Sequence, residues 1–117
     1  MSQNARLITE YMDAFTVSDH GRILACLTDD VEWVLPGVYH RRGKAEFDAE
    51  IENAAFAGSP VIGITRLVES GDIVLAEGSV RATRRDGVAM HLVFCDVFEM
   101  RRGLIRKLTS YLMQIPG

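Results

Sequence analysis

The second half of the chain leaves few choices of architecture. Segments 61–68, 73–84, 88–100 and 104–114 are rich in strand-forming residues, and only Glu69-Ser70-Gly71-Asp72, Arg85-Asp86-Gly87 and Arg101-Arg102-Gly103 separate them. The Asp86-Gly87 pair is a strong hairpin signal. Connections this short make neighbouring strands antiparallel, so the region reads as a meander folded into one sheet. Such a sheet needs one face covered.

The first half supplies the cover. Leu7, Ile8, Tyr11, Met12 and Phe15 recur at spacings of three and four, which predicts a helix over 4–17 with one apolar face. Ser18 or Asp19 can cap a second helix running to about Leu27, with Ile23, Leu24 and Leu27 on its stripe. Thr28-Asp29-Asp30 breaks that pattern. Val31 to Leu35 alternates as a short strand, with Val31, Trp33 and Leu35 on one side, and Pro36-Gly37 ends it. Val38 to Gly43 reads as a loop or short irregular strand. A third helix is expected over about Lys44 to Ala55, with Phe47, Ile51, Ala54 and Ala55 as its stripe and Gly58-Ser59-Pro60 as its end.

Three helices followed by a curved sheet make an α+β domain. At 117 residues, the chain is expected to form one domain spanning 1–117, and 48% hydrophobic residues suffice for its core. A strongly bent sheet would turn the space beneath the helices into a pocket.

Several function classes fall away. A net charge of −3 gives no field for nucleic acid, and RRGLIRK (101–107) reads as a solvated hairpin tip without interleaved aromatics. No apolar run approaches the roughly 20 residues of a membrane helix. MSQNARL has no long apolar segment of the signal-peptide kind, so a cytoplasmic location is expected. Cys26 and Cys95 are too far apart for a redox pair and read as reduced core residues. His20, His40 and His91 show no ligand spacing, so no metal site is expected. Gly43-Lys44 lacks the glycines of a phosphate loop, and no cofactor is implied.

FCDVFEM (94–100) carries the chemistry. By strand parity Met90, Leu92, Phe94, Asp96, Phe98 and Met100 share one face, and His91, Val93, Cys95, Val97 and Glu99 the other. Asp96 is the one acid in an apolar row. Such a carboxyl must find hydrogen bonds, find a cation or keep its proton. It is a candidate proton donor or general acid, with a fold-specifying network as the alternative. Tyr11, on the apolar helix face, is a candidate donor to a substrate oxygen. His40, after the Pro-Gly break, is the candidate base at a pocket mouth. Phe15, Trp33, Leu35, Phe94, Phe98 and Tyr111 are the candidate pocket walls.

LITEYMDAFT, LTDDVEWVLPG, HRRGKAEF and FCDVFEMRRGLIRKLTSYL resemble the SnoaL-like and ketosteroid-isomerase-like group of the nuclear transport factor 2-like superfamily. The resemblance implies a cone-shaped barrel: three N-terminal helices on a strongly curved, mixed but mostly antiparallel sheet, around a deep hydrophobic pocket. It makes Tyr11 and Asp96 the pair that holds a substrate oxygen. It also shows a departure, because Leu35 stands where the isomerase has its carboxylate base. Asp96 resembles, too, the pocket acid of SnoaL-type cyclases and one acid of limonene-epoxide hydrolase. Glu77 and Arg81 do not reproduce the acid–arginine spacing of that hydrolase. The implied activity is isomerisation, cyclisation or hydrolysis of a small apolar, oxygen-bearing molecule. The alternatives are a non-catalytic ligand-binding protein of the same fold and a structural domain with a filled core. The resemblance further implies a homodimer built through the outer sheet face, where Val93, Cys95 and Val97 lie.

Overall fold

Ser2 opens the first helix by accepting a 3.0 Å hydrogen bond from the Ala5 amide, and α1 then runs over Gln3–Thr16. In this computed structural model, which describes residues 2–52 and 56–116 (only the backbone for 56–59), two further helices follow, α2 (His20–Leu24) and α3 (Gly43–Glu50). The strands are β1 (Leu27–Leu35), β2 (Tyr39–Arg42), β3 (Phe56–Ser70), β4 (Ile73–Arg84), β5 (Ala89–Arg101) and β6 (Leu104–Gln114). They form one sheet in the order β2-β1-β6-β5-β4-β3. Only the β1–β6 pairing is parallel among these neighbours. The sheet is therefore mixed, mostly antiparallel, with the expected meander intact. Among the described residues no helix is long and apolar enough to cross a membrane.

Three boundaries differ from the sequence reading. The second helix stops at Leu24, and Thr28-Asp29-Asp30, read as a break, belong to β1. β1 meets β6 at Leu27 and again from Glu32, with its register shifting between them, and across that irregular stretch Arg101 and Arg106 reach Asp30 at 2.7 and 3.2 Å. Those two arginines sit at the hairpin read as solvated, and Arg106 also donates to Glu32 at 2.9 Å. The third helix ends at Glu50. Gly58-Ser59-Pro60, expected to be a loop, lies in β3. That strand is the sheet edge, and its register shifts between Ala57 and Val61, so a residue without an N–H is tolerated there. Ala54 and Ala55 lie outside the described residues.

The core forms where the apolar helix faces meet the inner sheet face. Ile8, Tyr11, Met12 and Ala14 of α1 and Phe47 of α3 are buried with Val31, Val74, Ala76, Phe98, Ile105 and Leu108. Burying each of the larger side chains contributes about 1.5–3 kcal/mol. Cys26 is buried and Cys95 only half-buried, on the outer face; both are free thiols.

Gly78 lets β4 pass under this layer. A Cβ there would collide with the Gly63 carbonyl oxygen and sit 2.8 Å from the Phe94 ring. Phe94 and Gly78 are cross-strand partners, so the missing side chain leaves room for the ring on the inner face.

Candidate active site

Parity in β5 holds. Leu92, Phe94, Phe98 and Met100 are buried, and Asp96 lies among them. Across the sheet Asp96 has Ala76 on one side and Ser110 on the other. Beneath the helices lies an inner cavity of about 150 Å³. Tyr11, Met12 and Phe15 of α1 form one wall, and Trp33, Leu35 and Tyr39 of β1 and β2 another. Pro60, Ile62, Val80 and Phe94 complete the apolar lining, with Leu112 at the β6 side. Asp96 and Ser110 are the polar floor.

The aromatic walls are locked. Trp33 stacks on Phe47 at 4.5 Å and meets Phe15 and Tyr39 edge-on at 6.0 and 5.6 Å. Its indole N–H donates to Ser110 Oγ at 3.0 Å, with both residues buried. Arg41 lies over the Tyr39 ring at 5.0 Å, while its guanidinium bonds Glu50 at 2.9 Å.

The electrostatics follow from this enclosure. Burial raises Asp96 from its ordinary 3.8 to about 7, and a hydrogen bond from Ser110 works against that rise. Asp96 keeps a modest exposure toward the cavity, but protein surrounds its carboxyl. Burial also pushes the Tyr11 phenol well up, and the nearby Asp96 charge adds to it. Tyr39 is raised for the same first reason, with Glu50 adding and Arg41 opposing. Both phenols are therefore neutral donors at physiological pH.

Six of the sequence candidates meet at this cavity: Asp96, Tyr11, Phe15, Trp33, Leu35 and Phe94. Three do not. His40 is on the outer side of β2, paired with Val34, and its Nε2 lies 2.7 Å from Glu32. It cannot reach the cavity as a base. Phe98 is wholly buried behind Tyr11, edge-on at 5.5 Å, and belongs to the core. Tyr111 pairs with Cys95, is 53% exposed and faces outward. Glu77 and Arg81 share the outer face as well, where Glu77 bonds Arg66.

Ser110 and Tyr39 are the polar residues that sequence reasoning missed. Ser110 shares its side of β6 with Leu108 and Leu112, as Asp96 shares its side of β5 with Phe94 and Phe98. Tyr39 carried no such mark; the tight turn after Leu35 brings it opposite that residue. Among the described residues Asp96 is the only carboxyl lining the cavity, and no Lys, Arg or His lines it. No group of three or more His, Cys, Asp or Glu among them is placed to hold a metal ion.

The model of the SnoaL-like domain matches residues 8–108. The chain belongs to the SnoaL-like family. Its fold is that of solved nuclear transport factor 2-like structures. A protein of that kind and unknown function from Burkholderia pseudomallei is 23% identical, with TM-score 0.89 over 97% of this chain and 92% of the other. TerC, crystallised with polyporic acid, is 24% identical, with TM-score 0.86 over 96% and 92%. An M. tuberculosis epoxide hydrolase of the LEH-like kind is 21% identical, with TM-score 0.83 over 95% and 83%. At these identities the likeness is one of fold. A search of curated proteins finds no match.

Proposed function

We propose that this SnoaL-like chain is a small-molecule isomerase, cyclase or hydrolase in which Asp96 moves a proton on an apolar, oxygen-bearing ligand. Tyr11 donates a hydrogen bond to the ligand's oxygen. One observation carries the reading: the carboxyl that alone among the described residues lines an aromatic-walled cavity is held near pH 7, so both of its forms are populated at neutrality. With His40 outside and Leu35 apolar, Asp96 serves as base and acid in turn. In an isomerisation its carboxylate takes a proton from the carbon beside a carbonyl. The C–H electron pair moves into an enolate, whose oxygen Tyr11 stabilises. Asp96 then returns the proton at a second carbon. A cavity of about 150 Å³ is smaller than ordinary ligand sites of about 300–1,000 Å³, so a ligand held within it is small.

The second reading is a non-catalytic binder, favoured by the apolar Leu35 at the place of a base. Proton NMR in D₂O with a panel of small cyclic ketones and enones separates the two. The enzyme reading expects deuterium uptake beside the carbonyl that is lost in Asp96→Asn. Saturable binding with no uptake above buffer supports the binder and overturns the enzyme.

We also propose a homodimer through the outer sheet face, where Leu75, Val93, Val97 and Met113 gather around Cys95 and Tyr111.

A further inference from the structure

We propose that Trp33 and Ser110 are positioning residues that fix which oxygen of Asp96 exchanges protons with a ligand. The inference rests on the reading of Asp96 as the proton-transfer group. An indole N–H only donates, and a hydroxyl has one proton. Trp33 Nε1 occupies a lone pair of Ser110 Oγ at 3.0 Å, so the Ser110 proton is left for another acceptor. Asp96, its direct partner on the neighbouring strand, is that acceptor. One carboxyl oxygen is thereby committed to Ser110. The other is free to carry the exchangeable proton and face the cavity.

The donor at the head of this relay cannot swing away. The Trp33 ring is stacked on Phe47 and flanked by Phe15 and Tyr39. Ser110 and Trp33 are both buried, which leaves water little access to substitute for either. Ser110 of β6 is the side chain that acts on Asp96, the neutral phenols of Tyr11 on α1 and Tyr39 on β2 lie near enough to feel its charge, and no charged side chain raises or lowers its proton affinity. Without Trp33 the Ser110 side chain would lose the contact that holds its oxygen in place, and its hydroxyl would be free to turn away from Asp96.

Trp33 is the only tryptophan, so its indole N–H resonance is self-assigned in a ¹⁵N spectrum. The wild-type protein, titrated from pH 5 to 9, is expected to show that resonance moving with the midpoint of the Asp96 carboxyl carbon. Asp96→Asn and Ser110→Ala should each flatten it. Ser110→Ala should also move the Asp96 midpoint up by about one pH unit, the size expected for losing a hydrogen bond to a charged group, and Ser110→Thr should restore it. An indole resonance that does not follow Asp96 in the wild type, or an unchanged midpoint in Ser110→Ala, overturns the proposal. The wild-type titration decides the matter even where Ser110→Ala fails to fold. The ketone exchange assay tests the enzymatic reading separately: a coupled titration without exchange would leave the relay standing and remove the reaction.

Discussion

Asp96 of β5 faces Ser110 of β6 directly across the ladder, and that serine is the one neighbour that favours the ionised carboxyl. Burial outweighs it, so the folded protein holds the Asp96 proton up to about pH 7 while the unfolded chain releases it near 3.8. Between those values the native state binds more protons, and stability falls as pH rises. Below the window there is no penalty; above it the penalty reaches about 4 kcal/mol. Asp96→Asn removes it. The stability of that variant relative to wild type should therefore climb from pH 4 to 7 and then level off. Urea midpoints at four pH values read this directly, because the other carboxylates are common to both proteins. Parallel curves would mean that the carboxyl is not enclosed as described.

The same titration governs catalysis. If the Asp96 carboxylate is the base, exchange beside a bound ketone should rise with pH and level off above about 7. Tyr11→Phe keeps the edge-on contacts with Phe47 and Phe98 and removes only the donor. It should slow exchange by about 10- to 100-fold with little change in stability, the loss expected for one hydrogen bond to a developing charge. A rate in Tyr11→Phe equal to wild type would take Tyr11 out of the mechanism.

Gly78 offers a test of the packing. Gly78→Ala puts a methyl against the Gly63 carbonyl and the Phe94 ring, and a shift of either costs about 1–3 kcal/mol. Gly63→Ala is the control, since its added carbon meets only Ser79 Oγ at 3.7 Å. Denaturant midpoints should drop for the first variant and hold for the second. Equal midpoints would show that β3 does not lie so close.

Most of the fold, and half of the site, was legible because alternation in β5 and the α1 stripe are local patterns. They put Asp96, Phe94, Tyr11 and Phe15 on the faces that meet at the cavity. The failures occur where a register break or a turn decides the face. The β5–β6 register shifts between Glu99 and Met100, whose partners are Lys107 and Ile105. Counting by twos from buried Ile105 leads to Tyr111; after the shift Leu108 and Ser110 point inward instead. His40 and Tyr39 exchanged roles in the same way, because the length of the Pro36-Gly37-Val38 turn sets which of them opposes Leu35. Gly37 supplies the positive φ of 81° that this turn requires. Trp33 to Ser110 spans most of the chain, and no local pattern announces such a bond.

His20, which no site claimed, joins α2 to the end of α3. Its Nδ1 lies 2.6 Å from Asp48 and its Nε2 2.9 Å from Glu52, so only the imidazolium can donate to both. Hydrogen bonds to Asp48 and then Glu52 raise its proton affinity above the ordinary value of 6.5. The resulting stability is fully present below 6.5 and is lost as pH rises through the higher folded value. His20→Ala should lower stability below pH 6.5 and remove the decline above it, so that the two profiles converge as pH rises. Superimposable slopes for the two proteins above pH 6.5 would dismiss the clamp.

The outer sheet face carries the remaining prediction. A groove of about 450 Å³ runs over it between β4, β5 and β6, with Val93, Cys95, Tyr111 and Met113 on its walls. The helices pack on the opposite face, so this apolar strip meets solvent in a single chain. Its residues pair in rows, Cys95 beside Tyr111 and Val93 beside Met113, which gives a surface that a second copy can match by two-fold symmetry. Tyr111→Glu places a charge in that contact without touching the core, since the residue is already 53% exposed. Sedimentation velocity at micromolar concentration should show a dimer for wild type and a folded monomer for the variant. A wild-type protein that sediments as a monomer rejects the dimer, and an undisturbed dimer in Tyr111→Glu moves the contact to another face.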